Sequence, residues 1–89
     1  MLHPFTLASS NMLITRSSSA VDYIVTDLLL GRVNVKFSNG YWYRYTNVSR
    51  RAILNLELNP NMSLGFWVNE NIINNGRVKQ AFSLNFAAA

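Results

Sequence analysis

The chain has 89 residues, the size of one small domain. Hydrophobic residues make up 49% of it and charged residues 13%, which excludes a disordered chain, because such chains are poor in hydrophobic residues and rich in charge. No apolar run approaches the ~20 residues that a membrane-spanning helix needs. The amino terminus has no Lys or Arg ahead of an apolar segment and the chain has no cysteine, so we expect a cytoplasmic protein without disulfides.

Groups that could carry catalysis are scarce. His3 is the single histidine, and the chain has four carboxylates in all. The sequence contains no glycine-rich phosphate loop, and it contains neither GxSxG nor HExxH. Metal sites need three or four converging ligands, and cysteine ligands are absent. We therefore predict a protein that is not an enzyme and that holds no metal and no cofactor.

The charge balance is basic. Eight Lys and Arg residues stand against four Asp and Glu residues, which gives a formal net charge of +4. An excess of positive charge favours acidic or phosphate-bearing partners. The alternative is that the same charge serves only to keep a small domain in solution.

In chain order, residues 1–16 form an N-terminal extension that we expect to be partly disordered or to supply an edge strand near residues 12–14. Residues 17–86 form the single domain, and residues 87–89 resemble a cloning scar. The domain opens with a strand over residues 20–27, a stretch rich in Val, Ile, Tyr and Thr.

Three leucines in a row occupy the turn that follows this strand. Leu28, Leu29 and Leu30 are unusual there, because turns favour Gly, Pro, Asn, Asp and Ser. Either they contact a partner protein, or the turn folds back beneath the carboxy-terminal segment.

The clearest local pattern is a hairpin over residues 32–45. A two-residue Asn-Gly turn would place Val35 opposite Arg44, whereas a three-residue loop with Gly40 in the left-handed conformation places Val35 opposite Tyr43. The three-residue loop puts all six apolar side chains of the hairpin on one face, so we predict this register. The residues then expected on the opposite face are Asn34, Lys36, Trp42 and Arg44.

Two short helices and a last strand follow. Ser49 is a suitable N-cap for a helix over residues 50–58, and Ser63 for a second helix that ends near Asn71. Residues 78–86 alternate well enough for a strand. The first helix is expected to face inward with Ala52, Ile53 and Leu56, and with Leu54 and Leu58 at the sides of this stripe. We therefore expect an α+β fold, a small antiparallel β-meander with two short helices.

The first helix begins with two arginines, although the first turn of a helix favours acidic side chains. Arg50 and Arg51 beside unpaired backbone N–H groups would attract a phosphate. The alternative is that both are ordinary exposed arginines.

A second basic cluster lies on the outer face of the hairpin. Trp42 beside Lys36 and Arg44 resembles a stacking platform, in which a base stacks on the ring and the cations meet phosphates. The alternative is that a helix or the last strand covers this face and that Trp42 belongs to the core.

Three stretches of the sequence together resemble a known family. They are Ser18, Ser19, Ala20 and Val21 with Ile24; Val33, Val35, Phe37, Gly40, Tyr43, Tyr45 and Val48; and Ser63, Gly65, Phe66, Trp67, Asn69 and Ile72. Over residues 17–73 the chain is similar to the KTSC domain, which occurs at the carboxy terminus of some lysyl-tRNA synthetases and alone in small bacterial and phage proteins. It departs from the family at Thr26, where tyrosine is frequent, and at Ser49, where proline is usual. The synthetase context of the family implies RNA binding.

We therefore predict a non-enzymatic module that binds nucleic acid, RNA above all. The predicted contacts are Arg50, Arg51, Lys36, Trp42 and Arg44. The alternative is a protein-interaction module of the phage-effector type, which docks on a host protein or self-associates as a homodimer. Its predicted interface residues are Leu28, Leu29 and Leu30, and neither prediction involves a membrane.

Overall fold

The computed structural model describes residues 11–17 and 20–85, with side chains described as far as Ala81. Five strands form one antiparallel sheet in the order β1-β2-β3-β4-β5, so each strand pairs with the next one along the chain. The strands are β1 (Asn11–Thr15), β2 (Val21–Asp27), β3 (Arg32–Phe37), β4 (Tyr41–Thr46) and β5 (Lys79–Asn85). The helices are α1 (Arg50–Leu58) and α2 (Leu64–Val68), the latter continued by a π-helical turn (Asn69–Ile73). The predicted α+β meander is confirmed.

Several predictions concern residues outside the described ranges. These are the disorder expected before residue 11, the resemblance to the KTSC domain at Ser18 and Ser19, the end of the last strand at Phe86 and the cloning scar at 87–89. Within the described part of the extension, β1 lies at the edge of the sheet and pairs with β2.

The β3–β4 hairpin has the predicted three-residue loop. Val33 pairs with Tyr45 and Val35 with Tyr43, as the apolar pattern requires. Gly40 has a φ of 96°, and its N–H donates to the carbonyl of Phe37 at 3.0 Å. Burial raises the pKa of the Tyr45 hydroxyl, and the neighbouring Tyr43 adds to this rise, so the hydroxyl is neutral at physiological pH.

Both helices begin at the predicted caps. The Ser49 hydroxyl accepts a hydrogen bond from the Ala52 N–H, and the Ser63 hydroxyl accepts one from the Phe66 N–H, each at 3.2 Å. Each cap satisfies a backbone donor that the first turn of a helix leaves without a partner. The π-helical turn extends the second helical segment to Ile73, two residues further than predicted.

The core lies between the helices and one face of the sheet. Trp67 is fully buried, and its Nε1 donates to the carbonyl of Ala52 at 2.8 Å, which joins α2 to α1. The other buried apolar residues from the helices are Ile53, Leu56, Leu64, Val68 and Ile72, and those from the sheet are Ile14, Val21, Ile24, Val33, Val35 and Tyr45.

Polar side chains fix the end of α1 against the first two strands. The buried Thr26 hydroxyl donates to Oε2 of Glu57 at 2.8 Å. The Arg16 guanidinium donates to the carbonyls of Leu56 and Met62 at 2.9 and 2.5 Å. These carbonyls belong to the end of α1 and to the loop after it, where helical hydrogen bonding stops and other donors are needed. Because α1 is fixed in this way, its outer face points away from the sheet.

One predicted core assignment is wrong. Leu54 and Leu58 were expected at the sides of the inward stripe of α1, yet they are 42% and 69% exposed. Ile53 and Leu56 are the buried residues of the helix, and Ala52 packs beside them against the core. At about 100° per residue, Leu54 and Leu58 then lie on the far side of so short a helix.

Gly31 provides a test of the fold. Its φ is +65°, its carbonyl accepts from the Val48 N–H at 2.8 Å, and an added Cβ would lie 2.9 Å from the Val48 carbonyl oxygen. We expect Gly31→Ala to lower the free energy of unfolding by about 1–2 kcal/mol from the left-handed conformation alone, with the close contact adding to the loss. Urea unfolding followed by circular dichroism measures it.

The matched control is Gly76→Ala, because a Cβ at Gly76 meets no atom within 4 Å. We expect this variant to stay within about 0.5 kcal/mol of the parent. Equal stabilities for the two variants would contradict the close contact between the turn at Gly31 and Val48.

Candidate nucleic-acid interface

We call the face of the sheet opposite the helices the open face. Alternate strand residues define it, because successive side chains of a strand point to opposite faces. Its members on the three central strands and β5 include Tyr23, Val25, Asp27, Arg32, Asn34, Lys36, Trp42, Arg44, Thr46 and Lys79. The described residues place no helix on this face, since α1 and α2 both pack on the other one.

An aromatic pair lies on the open face. Lys36 pairs with Tyr23 on one side and with Trp42 on the other, so the three residues form one row across the sheet. The rings of Tyr23 and Trp42 meet edge to face, with 5.4 Å between their centroids and 76° between their planes. Both side chains are half-buried, which leaves part of each ring in contact with solvent. This contact holds the indole in one orientation.

Trp42 is therefore not covered by a helix of the described chain. The last strand, β5, does not cross over Trp42 either, because it extends the sheet beside β4. Of the two interpretations of Trp42, the position on an accessible sheet face is the one that agrees with the structure.

Charged side chains surround the aromatic pair. Lys36 Nζ lies 2.7 Å from Oδ2 of Asp22, which partly neutralises this lysine. The Arg44 Nε donates to Oδ1 of Asn34 at 2.9 Å, which orients the guanidinium on this face. With Arg32 and Lys79, the open face carries four of the eight Lys and Arg residues of the chain, and Arg32 Nη2 lies 3.7 Å from Oδ2 of Asp27 on the same face. The face thus combines cations with aromatic rings.

Arg50 and Arg51, the arginines of the predicted anion site, stand at the start of α1. The Arg50 guanidinium donates to the carbonyl of Leu29 at 2.6 Å and, through Nε, to those of Leu28 and Leu29 at 3.1 Å. Arg51 lines a groove on the outer side of α1 instead. Arg50 is used to satisfy carbonyl groups of the turn, so the two guanidinium groups have different surroundings. That they hold one phosphate together stays a prediction.

The three leucines of the turn after β2 differ in burial, so they do not all agree with one interpretation, partner contact or packing within the protein. Leu28 is half-buried and packs against the core, whereas Leu29 and Leu30 are 53% and 59% exposed. The Leu30 N–H donates to Oδ1 of Asp27, and Arg50 holds the turn against the first turn of α1. The turn therefore lies beside α1.

Sequence reasoning missed Tyr23 as a site residue. A signal was present, since Tyr23 belongs to a predicted strand directly before the hairpin. Placing it beside Trp42 also requires the register between β2 and β3, which shifts at a bulge between Val21 and Tyr23. Arg32 shares the face of Asn34 and Lys36 by simple alternation along β3, whereas the face of Lys79 depends on strand pairing.

No family model, no curated protein and no solved structure matches this chain. The resemblance to the KTSC domain consequently stays a prediction. The described residues contain no group of three or more His, Cys, Asp or Glu side chains placed to hold a metal ion. Within the same ranges, every helix is too short or too polar to span a bilayer. The functional assignment therefore depends on the geometry of the open face.

Proposed function

We propose that this protein binds single-stranded nucleic acid, RNA in particular, on the open face of its sheet. The observation that carries the proposal is the contact between Tyr23 and Trp42, with Lys36 between them and Arg44 beside them. Aromatic side chains on a sheet accept unpaired bases by stacking, and neighbouring cations meet the phosphates. The absence of cysteine agrees with a cytoplasmic place for such a function.

A single strand fits this surface better than a duplex. The bases of a duplex are stacked on each other, so rings that lie on a sheet face cannot reach them. Two rings offer stacking surfaces for about two bases, each worth about 1–3 kcal/mol. The ion pair of Lys36 with Asp22 lowers the net attraction for phosphate, so we expect modest affinity with a clear dependence on salt.

The test is a titration of a fluorescein-labelled single-stranded RNA, read by anisotropy at two salt concentrations. For three phosphate contacts we expect affinity to fall about tenfold to twentyfold between about 50 mM and about 200 mM salt, because binding releases condensed counterions. A double variant, Lys36→Gln with Arg44→Gln, is expected to bind more weakly and with a smaller salt dependence.

The control is Arg51→Gln, which removes a cation from the helical side of the molecule. We expect its affinity and salt dependence to match those of the parent. Two results would contradict the proposal: no binding at low salt, or a salt dependence that changes in Arg51→Gln and not in the double variant.

A further inference from the structure

A shallow groove of about 720 Å³ lies on the outer side of α1, where this helix faces the π-helical turn and the residues after it. It is on the helical side of the molecule, away from the open face. Leu54 and Leu58 lie one helical turn apart in this groove and are 42% and 69% exposed. Its other principal lining residues are Arg51, Asn55, Asn71 and Asn75. Exposed leucines that are this close together need an explanation, since single exposed apolar residues are ordinary but neighbouring ones mark contact surfaces.

The amide groups of the groove include donors that are not used within the described residues. Oδ1 of Asn55 already accepts from Nδ2 of Asn59 at 2.7 Å, and Oδ1 of Asn75 accepts from the Arg77 N–H at 3.0 Å. Within the described residues, the Nδ2 groups of Asn55 and Asn75 make no hydrogen bond. A molecule that enters the groove therefore meets N–H groups that require acceptors.

The charge of the groove is positive. Arg51 stands at its end near the start of α1, and this guanidinium has no ion pair or hydrogen bond within the described residues. No acidic side chain lines the groove, and the first turn of α1 contains none. One N–H of Asn71 Nδ2 is donated to the Trp67 carbonyl at 3.0 Å. A partner that supplies carboxylates together with apolar side chains therefore fits this lining.

We propose that this groove binds an acidic amphipathic helix of a partner protein. Apolar side chains one helical turn apart on the partner pack on Leu54 and Leu58, and its carboxylates meet Arg51 and the free amide N–H groups. Opposite charges across an interface select the partner and fix its register. This site is separate from the open face, so the inference does not depend on the proposed function.

A second copy of this chain is a poorer occupant. A two-fold symmetric contact brings the same patch of both subunits together, so the patch must be complementary to itself. Here the cation Arg51 would find no carboxylate in the same patch of the other copy. Nucleic acid is poorer as well, because the groove has two leucines and no aromatic ring for a base to stack on.

The experiment uses the ¹⁵N-labelled full chain and two synthetic helical peptides. One peptide carries leucines at helical spacing with glutamates at all other positions, and the other has lysines in place of the glutamates. We expect the acidic peptide to shift the amide resonances of α1 and the π-helical turn. Leu58→Asn is expected to weaken this binding about tenfold, and Arg51→Gln about twofold to fivefold.

The control variant is Leu13→Asn, because Leu13 is 62% exposed but lies on the other side of the molecule, in β1. We expect it to bind the acidic peptide as the parent does, whereas the basic peptide is expected not to bind. Equal binding of both peptides, or unchanged binding in Leu58→Asn, would overturn the proposal. Sedimentation that shows a dimer of the chain alone, lost in Leu58→Asn, would overturn it in favour of a second copy.

Discussion

Replacing Trp67 with alanine is expected to lower the free energy of unfolding by about 3–5 kcal/mol. Trp67 is fully buried and is the largest side chain of the core, so alanine leaves a cavity between the helices and the sheet. The change also removes the hydrogen bond that Nε1 donates to the Ala52 carbonyl. Small domains have total stabilities at the lower end of about 5–15 kcal/mol. The loss therefore removes most of the stability, and a measurable fraction of the variant molecules is expected to be unfolded at room temperature. Urea unfolding followed by circular dichroism measures the difference.

Phe66→Ala is the matched control for this variant. Phe66 is the neighbouring aromatic residue of α2, but it is 59% exposed. We expect this change to cost less than about 1 kcal/mol, because most of the ring is already in water. Similar losses for the two variants would mean that α2 does not pack with Trp67 facing the sheet.

The second large effect is expected at Trp42. Trp42→Ala removes one of the two rings of the open face, so we expect the affinity for labelled single-stranded RNA to fall by about 1–3 kcal/mol, or about fivefold to 150-fold. Trp42→Phe keeps a ring for stacking and is expected to retain most of the affinity. Anisotropy titrations of the three proteins at low salt give the comparison.

A control for the loss of an aromatic ring is again Phe66→Ala, since Phe66 is exposed on the helical side. Its RNA affinity is expected to equal that of the parent. If Trp42→Ala binds as tightly as Phe66→Ala while both are folded, stacking on the open face is not the source of affinity.

Much of the fold is predictable because local patterns determine it. The alternation of apolar residues from Val33 onward, together with Gly40, defines one hairpin register, and the structure has that register. Ser49 and Ser63 mark the starts of the two helices, because their hydroxyl groups can satisfy backbone N–H groups within the same segment. In each case, the interaction that decides the structure joins residues close in sequence.

The remaining features depend on contacts between distant segments. Leu54 and Leu58 fit an inward stripe by spacing, and only the docking of α1 on the sheet determines that they face outward. Arg50 fits an anion site by position, but the carbonyl groups of Leu28 and Leu29 come within its reach once the turn lies beside α1. Tyr23 joins Trp42 through a register that contains a bulge. None of these arrangements leaves a pattern in the sequence of a single segment.

The intrinsic fluorescence of the two tryptophans tests the central claim most directly. Trp67 is fully buried, whereas Trp42 is half-buried on the open face, so a stacking base quenches Trp42 alone. We expect single-stranded RNA to quench the parent protein with the midpoint seen by anisotropy, and to leave the fluorescence of Trp42→Phe unchanged although it still binds. Binding by anisotropy without quenching of the parent, or equal quenching of the Trp42→Phe variant, would contradict the open face as the nucleic-acid surface.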